Sequence, residues 1–226
     1  MATVTTVPRI LVYLIRRDLR LSDNPVFFEA AKEYSIETKF THFLPIYIFS
    51  AQQIEVSGFL KSSDSPYPEA RSQVAGYWRC GPHRAKFLAE SVWDLKESLE
   101  HAESGLVIRA GLIADVIRHT FDYLEKPIKD EADSTSSAQD RRAEIVGVWM
   151  TGDVTEEERQ EELEVKQIVE EHGKEFRLFT DEKFFVDEYD HPLGTNLCRL
   201  HASQIFCCLL LRFKSLWALE LTFSQP

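Results

Sequence analysis

Five short runs of apolar residues, mostly β-branched or aromatic, recur along the chain: ILVYLI (10–15), FLPIYIF (43–49), GLVIRA (105–110), EIVGVWM (144–150) and EFRLFT (175–180). They lack an alternation of apolar and polar positions, which suits strands buried on both faces. Segments with helical spacing lie between them. The first follows Asn24, a good N-cap, with Pro25 at the first helical position, and continues through VFFEAAKEY. The second, HRAKFLAESVWDLKESLEHAES, places apolar residues at 85, 87, 88, 92, 95 and 99 and is followed by Gly105. The third, ADVIRHTFDYLEK, is stopped by Pro127. Thr155 and Glu158 open the fourth as a T-x-x-E capping box, and Gly173 closes it.

Strand and helix therefore alternate through most of the chain. This predicts an α/β fold: a five-stranded, parallel, doubly wound (Rossmann-like) sheet with helices on both faces. Residues 57–80 form a long excursion between the second strand and the second helix. The polar, Ser-rich stretch 128–143 reads as a flexible surface insertion before the fourth strand. After Asn196 the pattern changes, and LCRLHASQIFCCLLLRFKSLWALELTFSQP has neither turn signals nor a clear period. The division expected is an α/β domain over 1–196 and an irregular C-terminal tail over 197–226.

Composition narrows the classes of function. A chain of 226 residues with 44% hydrophobic and 12% aromatic content is long and apolar enough to bury a sizeable core. Its formal charge of −11 opposes unaided binding to nucleic acid or anionic lipid. Cys80, Cys198, Cys207 and Cys208 form no repeated C-x-x-C pattern, so a reducing, intracellular setting without a disulfide framework is expected. MATVTTVPRI lacks the charged and apolar regions of a secretory signal. The run IFCCLLL is interrupted by Arg212 and Lys214 and falls far short of the ~20 residues of a membrane helix. A soluble protein with no membrane partner is expected.

Three places carry candidate chemistry. RRDLRLSDN (16–24) stands at the carboxyl end of the first strand, where doubly wound sheets bind ligands. Arg16 and Arg17 could hold an anionic or planar ligand by bidentate contacts. Equally, Asp18 and Asp23 could pair with Arg16, Arg17 or Arg20 and simply fix the loop, and residue types alone favour this second reading. CGPHRA (80–85) sets His83 and Arg84 at a helix start, an anion site by geometry but an unfavourable placement of positive charge. The simpler reading there is a turn with Pro82 at or near the first helical position. In MTGDVTEEERQEE (150–162), Asp153 precedes a helix, where its carboxylate can accept hydrogen bonds from the ring N–H and amino group of a heterocycle, or merely solvate the loop. Glu157 is the second candidate there, and the other glutamates read as a solvated helix face. There is no G-x-G-x-x-G, no G-x-x-x-x-G-K-[ST] and no G-x-S-x-G, and the seven histidines are scattered.

LIRRDLRLSDNP closely resembles the N-terminal signature of the photolyase/cryptochrome family. RCGPHRAKFLAESVWDLKESL resembles the second-helix region of its cryptochrome DASH branch, and VWMTGDVTEEERQEE and FRLFTDEKFFVDEYD resemble two further DASH segments in order. The matches span roughly 8–196. The resemblance implies an α/β domain that seats an antenna chromophore, usually methenyltetrahydrofolate, ahead of a helical domain that binds FAD and contacts DNA. In such proteins excitation passes from the antenna to reduced FAD, which donates an electron to a cyclobutane pyrimidine dimer. DASH members prefer single-stranded DNA.

Only the first part is matched here, and the tail from Leu197 does not resemble the family's linker. A chain truncated before its FAD-binding domain, without catalytic residues and inactive alone, is the expectation. The position that hydrogen-bonds the folate pterin in relatives, a Glu before Val, matches Asp153 before Val154. The charge is kept and the reach is one methylene shorter, so folate binding should be weak. Glu157 is the accompanying candidate. Arg16, Arg17 and Asp18 match the loop beside which relatives with flavin-type antennae bind them, and a mainly structural role is expected for them in DASH proteins. Two rival readings are a nucleotide-binding α/β protein of universal-stress type and a non-catalytic interaction domain. In the latter, the apolar tail would dock on a partner or self-associate.

Overall fold

Six consecutive residues, Ile10 to Ile15, each expose no more than 2% of their surface, a burial that only the middle of a sheet covered on both faces provides. The computed structural model describes residues 7–36, 39–57, 64–72, 75–125 and 143–181. In chain order its elements are β1 (Arg9–Ile15), α1 (Pro25–Ile36), β2 (His42–Ser50), α2 (Pro82–His101), β3 (Val107–Gly111), α3 (Ile113–Glu125), β4 (Glu144–Thr151), α4 (Glu156–Glu171) and β5 (Glu175–Phe179). All strand pairs are parallel, and the order across the sheet is β3-β2-β1-β4-β5.

The period of two along β1 divides the core. Leu11, Tyr13 and Ile15 face α1 and α2, packing with Val26, Phe27 and Ala30 and with Val92, Leu95 and Leu99. Ile10, Val12 and Leu14 face α3 and α4, packing with Ile117 and Phe121 and with Val165, Ile168 and Val169. The chain runs outward from β1 to β3 with helices on one face. It then returns through α3 to lay β4 against the free side of β1. The strand order reverses between β1 and β4, so the crevice above their carboxyl ends is the place where such sheets bind ligands.

Local chemistry sets the element ends. Asn24 caps α1 as expected: its Oδ1 accepts the backbone N–H groups of Val26 and Phe27 at 3.0 and 3.1 Å. Helix α4 closes with Gly173 at φ +65°, where the N–H of Lys174 reaches the carbonyl of Val169 at 3.0 Å. A similar reversal ends α2, with Glu103 at φ +59° and the N–H of Ser104 on the Leu99 carbonyl at 2.9 Å. That reversal delays the third strand to Val107, two residues after the start of its apolar run. Strands β3 and β5 are the sheet edges and are only partly buried, a distinction their apolar runs do not carry.

An extra residue in β4, Val146, interrupts its register with Ile10 and Leu11 of β1. Because of it, Ile145 lies on the same face as Val148 and Met150. In the excursion, Arg71 and Trp78 form an isolated antiparallel bridge around Gly76 (φ +70°). Of the expected insertion, 128–142 lie outside the described residues, as does the tail 197–226, while Ala143 is buried and donates its N–H to the Leu124 carbonyl at 3.0 Å.

Gly147 sits where β4 meets the first residue of β5, and a Cβ there would stand 2.8 Å from the backbone oxygen of Glu175. Backbone cannot yield as a side-chain tip can. Gly147→Ala should lower stability by about 1–3 kcal/mol, as overpacking does. Urea denaturation followed by far-UV circular dichroism checks this, and an unchanged midpoint would contradict it.

Candidate functional site

The loop after β1 is built around a buried carboxylate. Asp18 accepts the backbone N–H of Arg16 on Oδ1 at 3.0 Å and the Tyr13 hydroxyl on Oδ2. The Asn24 side-chain amide donates to the Tyr13 oxygen at 2.8 Å, so the helix cap and the loop share one network. Burial, reinforced by the charge of Asp18, pushes the Tyr13 phenol well above its ordinary pKa and keeps it a proton donor. Asp18 therefore fixes the loop by accepting from backbone and phenol.

The arginines pair across the crevice, with α4. Arg16, whose side chain is 8% exposed, donates to Glu162 at 2.7 Å, to Glu161 at 3.2 Å and to the Glu158 carbonyl at 3.3 Å. Arg17 bridges Asp153 at 2.9 Å and Glu158 at 2.8 Å. From the excursion, Arg79 reaches Glu157 at 2.9 Å, Glu158 at 2.8 Å and the Gln52 carbonyl at 3.1 Å. Arg20 grips Asp181 with two nitrogens, at 2.8 and 2.9 Å, and also donates to the Asp23 carbonyl. The pairing of Asp18 and Asp23 side chains with these arginines, expected from the sequence, is replaced by partners on α4 and beyond β5.

Glu158, Glu161 and Glu162 are buried, against the expectation of a solvated helix face. Their spacing holds the explanation. Positions 158, 161 and 162 continue into Val165, Ile168 and Val169, one inward stripe of α4. Its valine end meets the sheet, and its glutamate end projects past the strands toward the arginines. The expected capping box is not formed: the Thr155 hydroxyl donates to the Glu158 carboxylate, which is already drawn to Arg17 and Arg79.

Glu161 also accepts from the Ser50 hydroxyl at 2.7 Å and the Gln53 amide at 3.0 Å. Burial raises its carboxyl pKa, with the Ser50 hydrogen bond and Arg16 opposing that rise. Three guanidiniums thus meet five carboxylates: Asp153, Glu157, Glu158, Glu161 and Glu162. The surplus is negative, which disfavours a phosphate here and favours ligands that donate hydrogen bonds. Among the described residues, no group of His, Cys, Asp and Glu is arranged to hold a metal ion.

Asp153 lies in the turn before α4. Its Oδ1 accepts the N–H groups of Val154 at 2.8 Å and Thr155 at 3.2 Å, and its own N–H donates to Glu162 at 2.7 Å. Only Oδ2, facing Arg17, can serve an outside donor. A ring N–H therefore fits at one oxygen, and the two-oxygen recognition of a heterocycle edge does not. Glu157 lines an adjoining cleft of about 590 Å³ with Tyr67, Arg71, Arg79, Leu112 and Gln160, a size that admits a small organic ligand. His83 and Arg84 stand exposed at the start of α2, whose N-cap Gly81 offers no side-chain cap. The structure thus joins Arg16, Arg17, Asp18, Asp153 and Glu157 in one connected cluster and leaves His83 and Arg84 outside it.

Residues 11–126 match the DNA photolyase family model. A mitochondrial cryptochrome DASH of Neurospora crassa is 42% identical over 183 residues, 80% of this chain and 23% of the relative. A cryptochrome DASH of Gibberella zeae is 42% identical over 186 residues, 82% of this chain and 24% of the relative. The chain thus spans about a quarter of the length of these curated relatives. Among solved structures, a cryptochrome from Synechocystis sp. PCC6803 superposes with a TM-score of 0.54 at 19% identity, over 78% of this chain and 28% of that one, and shares the fold. No helix among the described residues is long and apolar enough to cross a membrane.

Two substitutions separate the charges. Arg16→Met should cost about 3–5 kcal/mol, because it leaves Glu161 and Glu162 buried without their cation; a loss under about 1 kcal/mol in urea denaturation would contradict this. Glu161→Gln should be mild, and its effect should depend on pH. The raised carboxyl favours the fold most below the ordinary glutamate value of 4.5, and that advantage is lost as pH rises through its value in the folded chain. The stability of Glu161→Gln relative to the parent should therefore climb across that window and level off above it. A difference constant from pH 4 to 8 would rule this out.

Proposed function

The chain belongs to the DNA photolyase family, and on that basis we propose that it is the antenna-type α/β domain of a cryptochrome DASH. The observation that carries this reading is the DASH likeness, which extends over four-fifths of the chain. We assign residues 1–196 to this domain and 197–226 to a tail outside it. The activity proposed for the whole protein is light-driven, FAD-linked repair of cyclobutane pyrimidine dimers in single-stranded DNA. We propose that this chain alone is inactive in repair.

Methenyltetrahydrofolate is the antenna we propose. When bound, it would supply near-UV absorption and pass its excitation onward. The work of this chain is to seat and orient it. Asp153 Oδ2 would accept one ring N–H of the pterin, and Glu157 would face the adjoining cleft. Arg16 and Asp18 would hold the two loops of the switch point at fixed separation, and Arg17 would border the seat. Because Asp153 has one oxygen committed to its own turn, binding should be weak.

The negative surplus at the switch point argues against the nucleotide-binding alternative, because phosphates would meet carboxylates there. Titration with ATP should accordingly give no saturable signal. For the main reading, the purified chain is supplied with reduced FAD and a dimer-containing oligonucleotide under blue light. The dimers should persist, and their repair would overturn the assignment. A near-UV chromophore that copurifies at close to one per chain would show a folate seat stronger than the single free oxygen of Asp153 provides.

A further inference from the structure

Asp153 and Arg17 form an unequal pair. The aspartate side chain is 12% exposed and the arginine side chain 51% exposed. The aspartate is pinned by its turn: Oδ1 receives two backbone N–H groups, and the Asp153 N–H is fastened to Glu162. The arginine has somewhere else to go. Its second nitrogen already sits 2.8 Å from Glu158, a carboxylate that Arg79 and Thr155 also serve. Withdrawing Arg17 therefore leaves Glu158 partnered and frees a single acceptor, Asp153 Oδ2. Arg16, by contrast, is buried among three groups of α4 and has no such freedom.

We propose that Arg17 is a latch on Asp153: its guanidinium occupies the acceptor that a nitrogen heterocycle would use, and binding requires it to swing back onto Glu158. The inference rests on the reading of Asp153 as the heterocycle acceptor. Arg17 is then a positioning residue that sets affinity by competition. The ligand class follows from the vacated atom, one lone-pair site inside a net negative cluster. It is a planar heterocycle bearing a ring N–H or amino donor, neutral or cationic, with its anionic groups kept clear of the crevice.

The test is a titration of the whole chain with methenyltetrahydrofolate, followed by near-UV absorption. The parent, Arg17→Met, Arg17→Gln, Asp153→Asn and the double variant Arg17→Met/Asp153→Asn are compared at low and high salt. Both Arg17 variants should bind roughly two- to fivefold more tightly than the parent, the worth of a half-exposed ion pair. The gap should narrow with salt, which screens the competing pair in the parent, a response that a merely structural arginine would not give. The gain should vanish in the double variant, because Asp153→Asn presents an N–H where Oδ2 accepts. Equal or weaker binding by the Arg17 variants, including no binding by any protein, overturns the latch. If the single Asp153→Asn change abolishes binding while Arg17→Met gains nothing, the acceptor reading survives and the latch alone falls. If the gain persists in the double variant, both fall. Near-UV circular dichroism of each variant identifies any that has lost its fold.

Discussion

The guanidinium of Arg16, held between Glu161 and Glu162 with little contact to water, is the interaction on which this end of the molecule depends. It joins the end of the central strand to the opening turns of α4 across the very crevice where a doubly wound sheet would receive a ligand. Removing charge from water is costly, so such a pair survives only when its remaining hydrogen bonds are made. Here they are: Ser50 and Gln53 serve Glu161, and the Asp153 N–H serves Glu162. Ser50 and Gln53 come from the end of β2 and the turn after it, and Asp153 from the loop after β4. The ion pair thereby sets the relative positions of the loops after β1, β2 and β4, and the geometry of Asp153 is derived from it.

The elements were legible in the sequence where burial is two-sided. The runs at 10–15, 43–49 and 144–150 became strands within a residue of their bounds, because only a covered strand keeps so many apolar residues together. The edges were less legible. Runs at 105–110 and 175–180 look like the others, yet β3 and β5 lack a neighbour on one side. Asn24 was readable as a cap because a short amide side chain before Pro25 has few other uses.

The site was legible in its residues and misread in its partners. Glu158, Glu161 and Glu162 look like a solvated face when judged by charge alone. Judged by spacing, they prolong the stripe of Val165, Ile168 and Val169 and must turn inward. What that stripe meets depends on the return of α3 across the sheet, a tertiary fact that no local window contains. The same holds for Asp18, whose partner Tyr13 lies five residues away but on the opposite side of a turn. Family likeness pointed to the loops after β1 and β4, and pairwise chemistry decides what their side chains do.

The placement of β4 beside β1 also has a meaning in time. Arg16 and its carboxylates are separated by 145 and 146 residues. On a growing chain β1, β2 and β3 can assemble early, while the inner edge of β1 stays open until residues 144–151 have been made. An apolar strand with unsatisfied backbone groups is a template for wrong partners, and contacts this distant in sequence form slowly. The carboxylates of α4 follow β4 in the chain, so the charged cluster can be completed only once the strand that covers this edge of β1 has been made.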